Sequence, residues 1–121
     1  MQIGFLSTYS NILSVREGRA ALLANNIANS DTPGYKAVDI PFEQSLGSQL
    51  IDPQAASTQL GSLTPEYRAT NKVSLDGNDV SLDLERVEAA QNGETMIGAS
   101  TFLHQSMADL VMALRPNPGG N

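Results

Sequence analysis

The sequence predicts a mainly α fold, with long N- and C-terminal amphipathic helices that form a coiled coil in an assembly around a small irregular or β middle segment. Three observations carry that prediction. Apolar residues recur at sevens near both ends. The stretch between them is dominated by Gln, Ser, Thr, Gly and Pro. The apolar content is mainly Ala, Leu, Val and Ile, with only 5% aromatic residues and no Trp. Large aromatics supply much of the packing area of a self-contained globule. A chain of 121 residues without them forms a single domain with a modest core and suits helix seams better.

The N-terminal helix spans about Phe5 to Asn29, within a first zone of residues 1–35. Leu6, Leu13, Ala20 and Ile27 repeat every seven residues, and Tyr9, Arg16 and Leu23 follow three positions after the first three. This is an a/d pattern with one charged interruption, at Arg16. Gly18 weakens it by about 1 kcal/mol relative to Ala. Asn29-Ser30-Asp31-Thr32-Pro33-Gly34 stops the helix, because Asn tolerates a left-handed C-terminal position and Pro cannot extend the ladder.

The middle zone, residues 36–78, is sparsely apolar. Phe42, Leu46 and Leu50 sit four apart and suggest one short helix. Ile51 to Pro65 reads as loop, and Tyr67 to Leu75 holds β-formers that can make a strand. Such a segment buries little apolar surface alone and is expected to order against a partner.

The C-terminal zone, residues 79–121, contains the clearest signal. Leu82, Ala89, Met96, Leu103 and Leu110 fall at intervals of seven, with Ala90, Ile97 and Val111 alongside and Met107 and Leu114 joining later. The helix spans about Asp83 to Leu114 and reaches roughly 48 Å at 1.5 Å per residue. Ser81 or Asp83 can cap it, and Asp83, Glu85 and Glu88 suit its first turns as dipole partners. Arg115-Pro116 ends it before a polar tail. Heptads this short also occur in ordinary bundles. Two long helices around a thinly apolar middle, however, must satisfy each other or a neighbour.

Chemistry is not evident. The one histidine, His104, lacks a second His or a Cys with which to form a metal site or a nucleophile–base pair. Asp76-Gly77-Asn78-Asp79 fails as a calcium loop, because Val80, Ser81 and Val87 stand at its fifth, sixth and twelfth positions. It reads as a tight turn. No catalytic, cofactor or metal residue is assigned, and no small-molecule substrate is expected. Seven basic residues are scattered singly against thirteen acidic ones, giving a net charge of −6. A phosphate backbone needs clustered cations, so nucleic acid is not an expected partner. No cleavable signal or membrane span is evident, so the chain is expected to be soluble or exported by a route that reads neither.

Two stretches carry a resemblance. Ala24 to Ala37, with Asn25, Asn26, Asn29, Thr32, Pro33, Gly34 and Tyr35, resembles the N-terminal signature of bacterial flagellar rod, hook and related axial proteins. Pro33-Gly34 fits the centre of a type II turn, where Gly supplies the positive φ. The Asn side chains can meet helix-end carbonyls and neighbouring subunits. Asp76-Gly77-Asn78 leading into Asp83 and Glu85 is similar to the entry to the C-terminal helix in proximal rod subunits. Gly93, Met96 and the Arg-Pro tail depart from the usual pattern.

The resemblance implies a structural, non-enzymatic subunit of the flagellar basal body rod, concerned with motility. Such proteins leave by type III export without signal cleavage and polymerise helically in the periplasm, their terminal helices packed as concentric coiled coils. The rod links membrane ring and export gate to its distal part and transmits torque. Implied partners are copies of itself, other rod subunits, the rod-base adaptor protein, the membrane ring and the export gate. The expected interface is Leu6, Leu13, Leu23 and Ile27 on one helix, and Leu82, Ala89, Met96, Leu103 and Leu110 on the other. Alternatives are another rod subunit or a secreted helical adaptor.

Overall fold

The computed structural model describes residues 4–42, 64–68, 74–116 and 119. Its elements are helix α1 (Gly4–Ala28), strand β1 (Val38–Asp39), strand β2 (Glu66–Tyr67) and helix α2 (Leu82–Leu114). The fold is mainly α with a small two-stranded sheet in the middle. Helix limits fall within a residue of the expected ones.

The two helices run antiparallel. Asn26 meets Glu85 at one end, Arg16 meets Asn92 further along, and the Tyr9 and Phe102 rings lie 4.7 Å apart towards the other. The sheet and turns close the hairpin where α1 ends and α2 begins. Strands β1 and β2 pair antiparallel, with Val38 opposite Tyr67 and Asp39 opposite Glu66. Arg68 N extends the ladder by donating to Ala37 O at 2.9 Å. Of the strand expected at Tyr67 to Leu75, only Tyr67 lies in β2, Arg68, Ser74 and Leu75 being outside any strand, and the partner Val38–Asp39 was not anticipated. Residues 69–73 lie outside the described residues. So do the short helix expected beyond Phe42 and most of the expected loop.

Among the described residues, Leu23, Ala37, Ile40, Phe42 and Val80 are the buried apolar ones, gathered at this closed end. The region after the signature motif therefore supplies more of the core than its thin apolar content suggested. Phe42 also receives the Arg16 guanidinium, 3.8 Å from its ring centroid. This explains how a cation is accommodated in the N-terminal heptad: the aromatic face attracts it.

Candidate functional site

The first feature is a knot of turns that joins the two motifs. Tyr35 N donates to Thr32 O at 3.2 Å, closing a turn with Pro33-Gly34 at its centre, and Gly34 has φ +72°. Positive φ at the third position is the type II signature, as expected. Gly77 has φ +80°, and a Cβ added there would lie 3.5 Å from Gly34 Cα. The two glycine turns stack backbone against backbone. Gly34 N donates to Asp76 O at 2.9 Å, and Asp79 N donates to Tyr35 O at 3.2 Å. Lys36 Nζ reaches Gly77 O, and Ala37 N donates to Asp79 Oδ1.

Asn78, nearly fully buried, completes this knot. Its Nδ2 donates to the carbonyls of Asn29 and Thr32, and its Oδ1 accepts from Val80 N. A helix C-terminus leaves carbonyls without intrahelical donors, and here a distant side chain satisfies one just beyond α1. Asn29 adds a local bond from its own Nδ2 to Asn25 O, and Thr32 Oγ1 donates to Asn29 Oδ1.

Beneath the knot lies a buried polar brace. Asn26, at 0% exposure, pairs with both backbone groups of Val38: Nδ2 donates to its carbonyl at 2.8 Å, and Oδ1 accepts its N–H at 3.1 Å. The carboxamide thus caps the edge of β1 opposite β2. Asn26 Nδ2 also donates to Glu85 Oε2 at 3.0 Å, and Tyr35 Oη donates to Asn26 Oδ1 at 3.1 Å. Arg68 bridges Glu85 and Asp39, while Arg19 grips Asp39 through Nε and Nη2 and reaches Glu88 at 2.7 Å.

These contacts set the protonation of the brace. Hydrogen bonding to Asp39 raises the Arg19 guanidinium against the opposing effect of burial, with Glu88 adding to it. Burial alone would raise the Asp39 carboxyl, but Arg19 and Arg68 outweigh it and hold it below its ordinary value. Burial, followed by the charge of Glu85, raises the Tyr35 phenol.

The helix seams combine expected and unexpected positions. Leu6, Leu13 and Ile27 are half-buried and Leu23 fully buried; Leu82, Ala89, Met96, Leu103 and Leu110 are half-buried along α2. The residues three positions on are Glu85, Asn92, Ala99 and Ser106, of which Glu85 and Asn92 are fully buried. Asn92 Nδ2 donates to Arg16 O at 3.0 Å.

Three expectations for α2 require correction. Glu85 and Glu88 do not merely complement the helix dipole, because both engage cations from elsewhere in the chain. Ser81 occupies the N-cap but makes no side-chain cap bond, and Asp83 is exposed in the first turn. Ala90, Ile97, Met107, Val111 and Leu114 do not join the seam; Ile97 is 71% exposed and Leu114 74%. Ala90, Ile97 and Val111 stand one step from the seam row and are turned about 100° away, whereas a residue three steps on comes back to within about 60° of it. With Phe102 and Met112, Ile97, Met107, Val111 and Leu114 leave much of the surface of the C-terminal half of α2 apolar and exposed.

A family model for flagella basal body rod protein matches residues 19–36, from Arg19 through the Pro33-Gly34 turn. The flagellar basal body rod protein FlgB of Proteus mirabilis (strain HI4320) is 32% identical over 120 residues, covering 85% of this chain and 88% of that protein. The Salmonella typhimurium FlgB is 34% identical over 128 residues, covering 90% and 89%. The chain belongs to the FlgB family of flagellar basal body rod proteins. The Escherichia coli (strain K12) FlgB is 39% identical over 97 residues, 66% of this chain and 70% of its own length.

This FlgB-family chain is therefore a structural subunit of the flagellar basal body rod and works with other rod components in motility. The family is structural, not enzymatic. The matched stretch contains Arg19, Leu23, Asn26 and Tyr35, the α1 contribution to the brace and its lid. Arg19, Asp39, Arg68 and Glu88 were not singled out as site residues in the sequence. The available signal was Glu85 and Glu88 three apart on α2 and Arg16 and Arg19 three apart on α1, of which Glu88 meets Arg19 while Glu85 is met by Arg68.

Proposed function

We propose that this chain polymerises helically, with copies of itself and with other rod subunits, into the periplasmic rod of the flagellum. The supporting observation is the exposed apolar surface of the C-terminal half of α2, where Ile97, Met107, Val111, Met112 and Leu114 are each more than half exposed. Scattered exposed apolar residues are ordinary, but a run of them along one helix half needs cover. In this reading the hairpin seam of Leu6, Leu13, Leu23 and Ile27 against Leu82, Ala89, Met96, Leu103 and Leu110 forms the inner layer. The exposed face of α2 then meets neighbouring subunits. Rod-base adaptor, membrane ring and export gate lie below, the distal rod above, and torque passes through the stacked helices. The chain reaches the periplasm unfolded through the type III apparatus, without signal cleavage.

Val111→Asp tests this directly. Val111 is 52% exposed, so the substitution leaves the hairpin's own packing nearly intact. The variant should keep parental helicity, yet be absent from purified basal bodies and leave cells non-motile. Normal swimming with the variant present in basal bodies would defeat the proposal.

A further inference from the structure

Glu85 stands out as a fully buried carboxylate on the face of α2 that packs against α1. One oxygen accepts from Asn26 Nδ2, and the other accepts from Arg68 Nη1. Of these two donors only Arg68 carries charge, and it comes from the residue after β2, not from either helix. Among the described residues, the other charged or titratable groups around it are already engaged. Arg19 is bound to Asp39 and Glu88, and Tyr35 donates to Asn26. If Arg68 withdraws, Glu85 becomes a buried charge beside a neutral amide, and a buried charge stripped of its partner is strongly destabilising. The helices must then part at this end to hydrate it.

We infer that Arg68 is a latch: docking of the 66–68 segment closes the α1–α2 hairpin at its turn end, and removal of that segment opens it. The segment is suited to this task. Among the described residues, it is joined to the rest by a two-residue ladder, one further backbone bond and the Arg68 ion pairs. Glu66 and Tyr67 are themselves exposed and contribute no buried side chain. A partner that takes residues 66–68 for its own interface thereby loosens Asn26 from Glu85, exposing polar groups that the closed hairpin hides. The middle segment thus controls the helices, a role that goes beyond polymerisation of the terminal helices.

The test is a mutant cycle on the full chain in solution, read by amide hydrogen exchange at residues 20–28 and 84–92. Arg68→Met should speed exchange there by about tenfold or more, while amides of residues 98–106, far from the latch, change much less. Glu85→Gln removes the charge that needs Arg68 and keeps an acceptor for Asn26. In the Glu85→Gln background, the same Arg68→Met change should speed exchange by no more than about twofold. Equal acceleration in both backgrounds would show that Arg68 acts only through β1 and β2 or Asp39, and would overturn the latch. So would a parent chain whose turn-end amides are no better protected than an unfolded peptide.

Discussion

Asn78 closes the end of α1 from 49 residues away: its Nδ2 donates to the backbone carbonyl of Asn29 at 2.9 Å. A second bond to Thr32 O, at 2.7 Å, spans the signature turn. The two sequence motifs are therefore halves of one structure. The Asn of Asp76-Gly77-Asn78 serves as the C-terminal lock for the helix that the other motif terminates.

Asn78→Ala should consequently cost about 1–2 kcal/mol: the Asn29 and Thr32 carbonyls lose Asn78 Nδ2 but keep Thr32 N and Tyr35 N as donors, while the buried Val80 N–H loses its acceptor. Asn78→Asp should be nearly as harmful, because a carboxylate facing two carbonyl oxygens replaces attraction by repulsion. Chemical denaturation of the two variants checks this. An Asp variant as stable as the parent would mean that the lock is not closed in solution.

Gly34 yields a sharper comparison. A Cβ added there meets nothing within 4 Å, so a substitution is resisted by backbone conformation alone, at φ +72°. Gly34→Val should cost about 1–2 kcal/mol, or more for a β-branched residue, and should impair assembly more than Ser30→Ala. Basal-body yield in cells carrying each variant is the measurement. Equal yields would refute the dependence on this turn.

Local signals in the sequence were enough for α1, α2 and the Pro33-Gly34 turn. Heptad spacing and the needs of a positive-φ residue are both written in neighbouring positions. Strand β1 was not legible, because Val38-Asp39 is two residues long and its pairing depends on Glu66–Tyr67 far along the chain. Glu85 was misread for the same reason. Near a helix start an acid normally signals dipole compensation, and only the arrival of Arg68 shows that this one faces inward. The outer face of α2 was merged with the seam because Ile97 and Val111 repeat with the same period as Met96 and Leu110, one step round the helix. Periodicity gives the spacing of a stripe, and burial is required to give its side.

The brace also makes stability depend on pH. The Asp39 carboxyl is held below its ordinary value of 3.8, so the folded state favours its charged form. The stabilisation is present above that value and is lost as pH falls through the lower, folded-state value. Asp39→Asn should therefore lower stability by on the order of 2 kcal/mol near neutrality. The gap between parent and variant should narrow as the pH drops below about 4. Denaturant midpoints at pH 7, 5, 3.5 and 2.5 test it, and a constant gap would rule out Asp39 as the titrating group.

His104 serves as a control for absent chemistry. It is exposed, and its ring Nδ1 lies 3.3 Å from Ser100 O on the preceding turn. His104→Gln should leave assembly and swimming within the parental range. Loss of motility at normal subunit level and assembly would reveal a role that the geometry does not provide.

The most demanding prediction concerns Leu110 and its neighbour Asp109. Leu110 is the last residue in the seven-residue row of α2 and is half-buried, whereas Asp109 is exposed and accepts from Gln105 Nε2 at 2.9 Å. Leu110→Asp removes apolar burial of roughly 2 kcal/mol and places a carboxylate on the seam. It also adds a negative charge to the last turn of a helix, where the dipole disfavours it by about 0.3–1 kcal/mol. Asp109→Ala loses only an exposed side-chain pair, about 0.2–0.5 kcal/mol, and removes a charge that the same dipole disfavours. The first variant should be exported, because an unfolded chain in transit has no seam to disturb, yet fail to enter basal bodies. Subunit would then be found in the periplasm or medium of non-motile cells, while Asp109→Ala cells swim. Motility scored together with fractionation separates the possibilities. Leu110→Asp retained inside the cell would place the defect at export, and Leu110→Asp present in the basal bodies of swimming cells would remove this row from the assembly altogether.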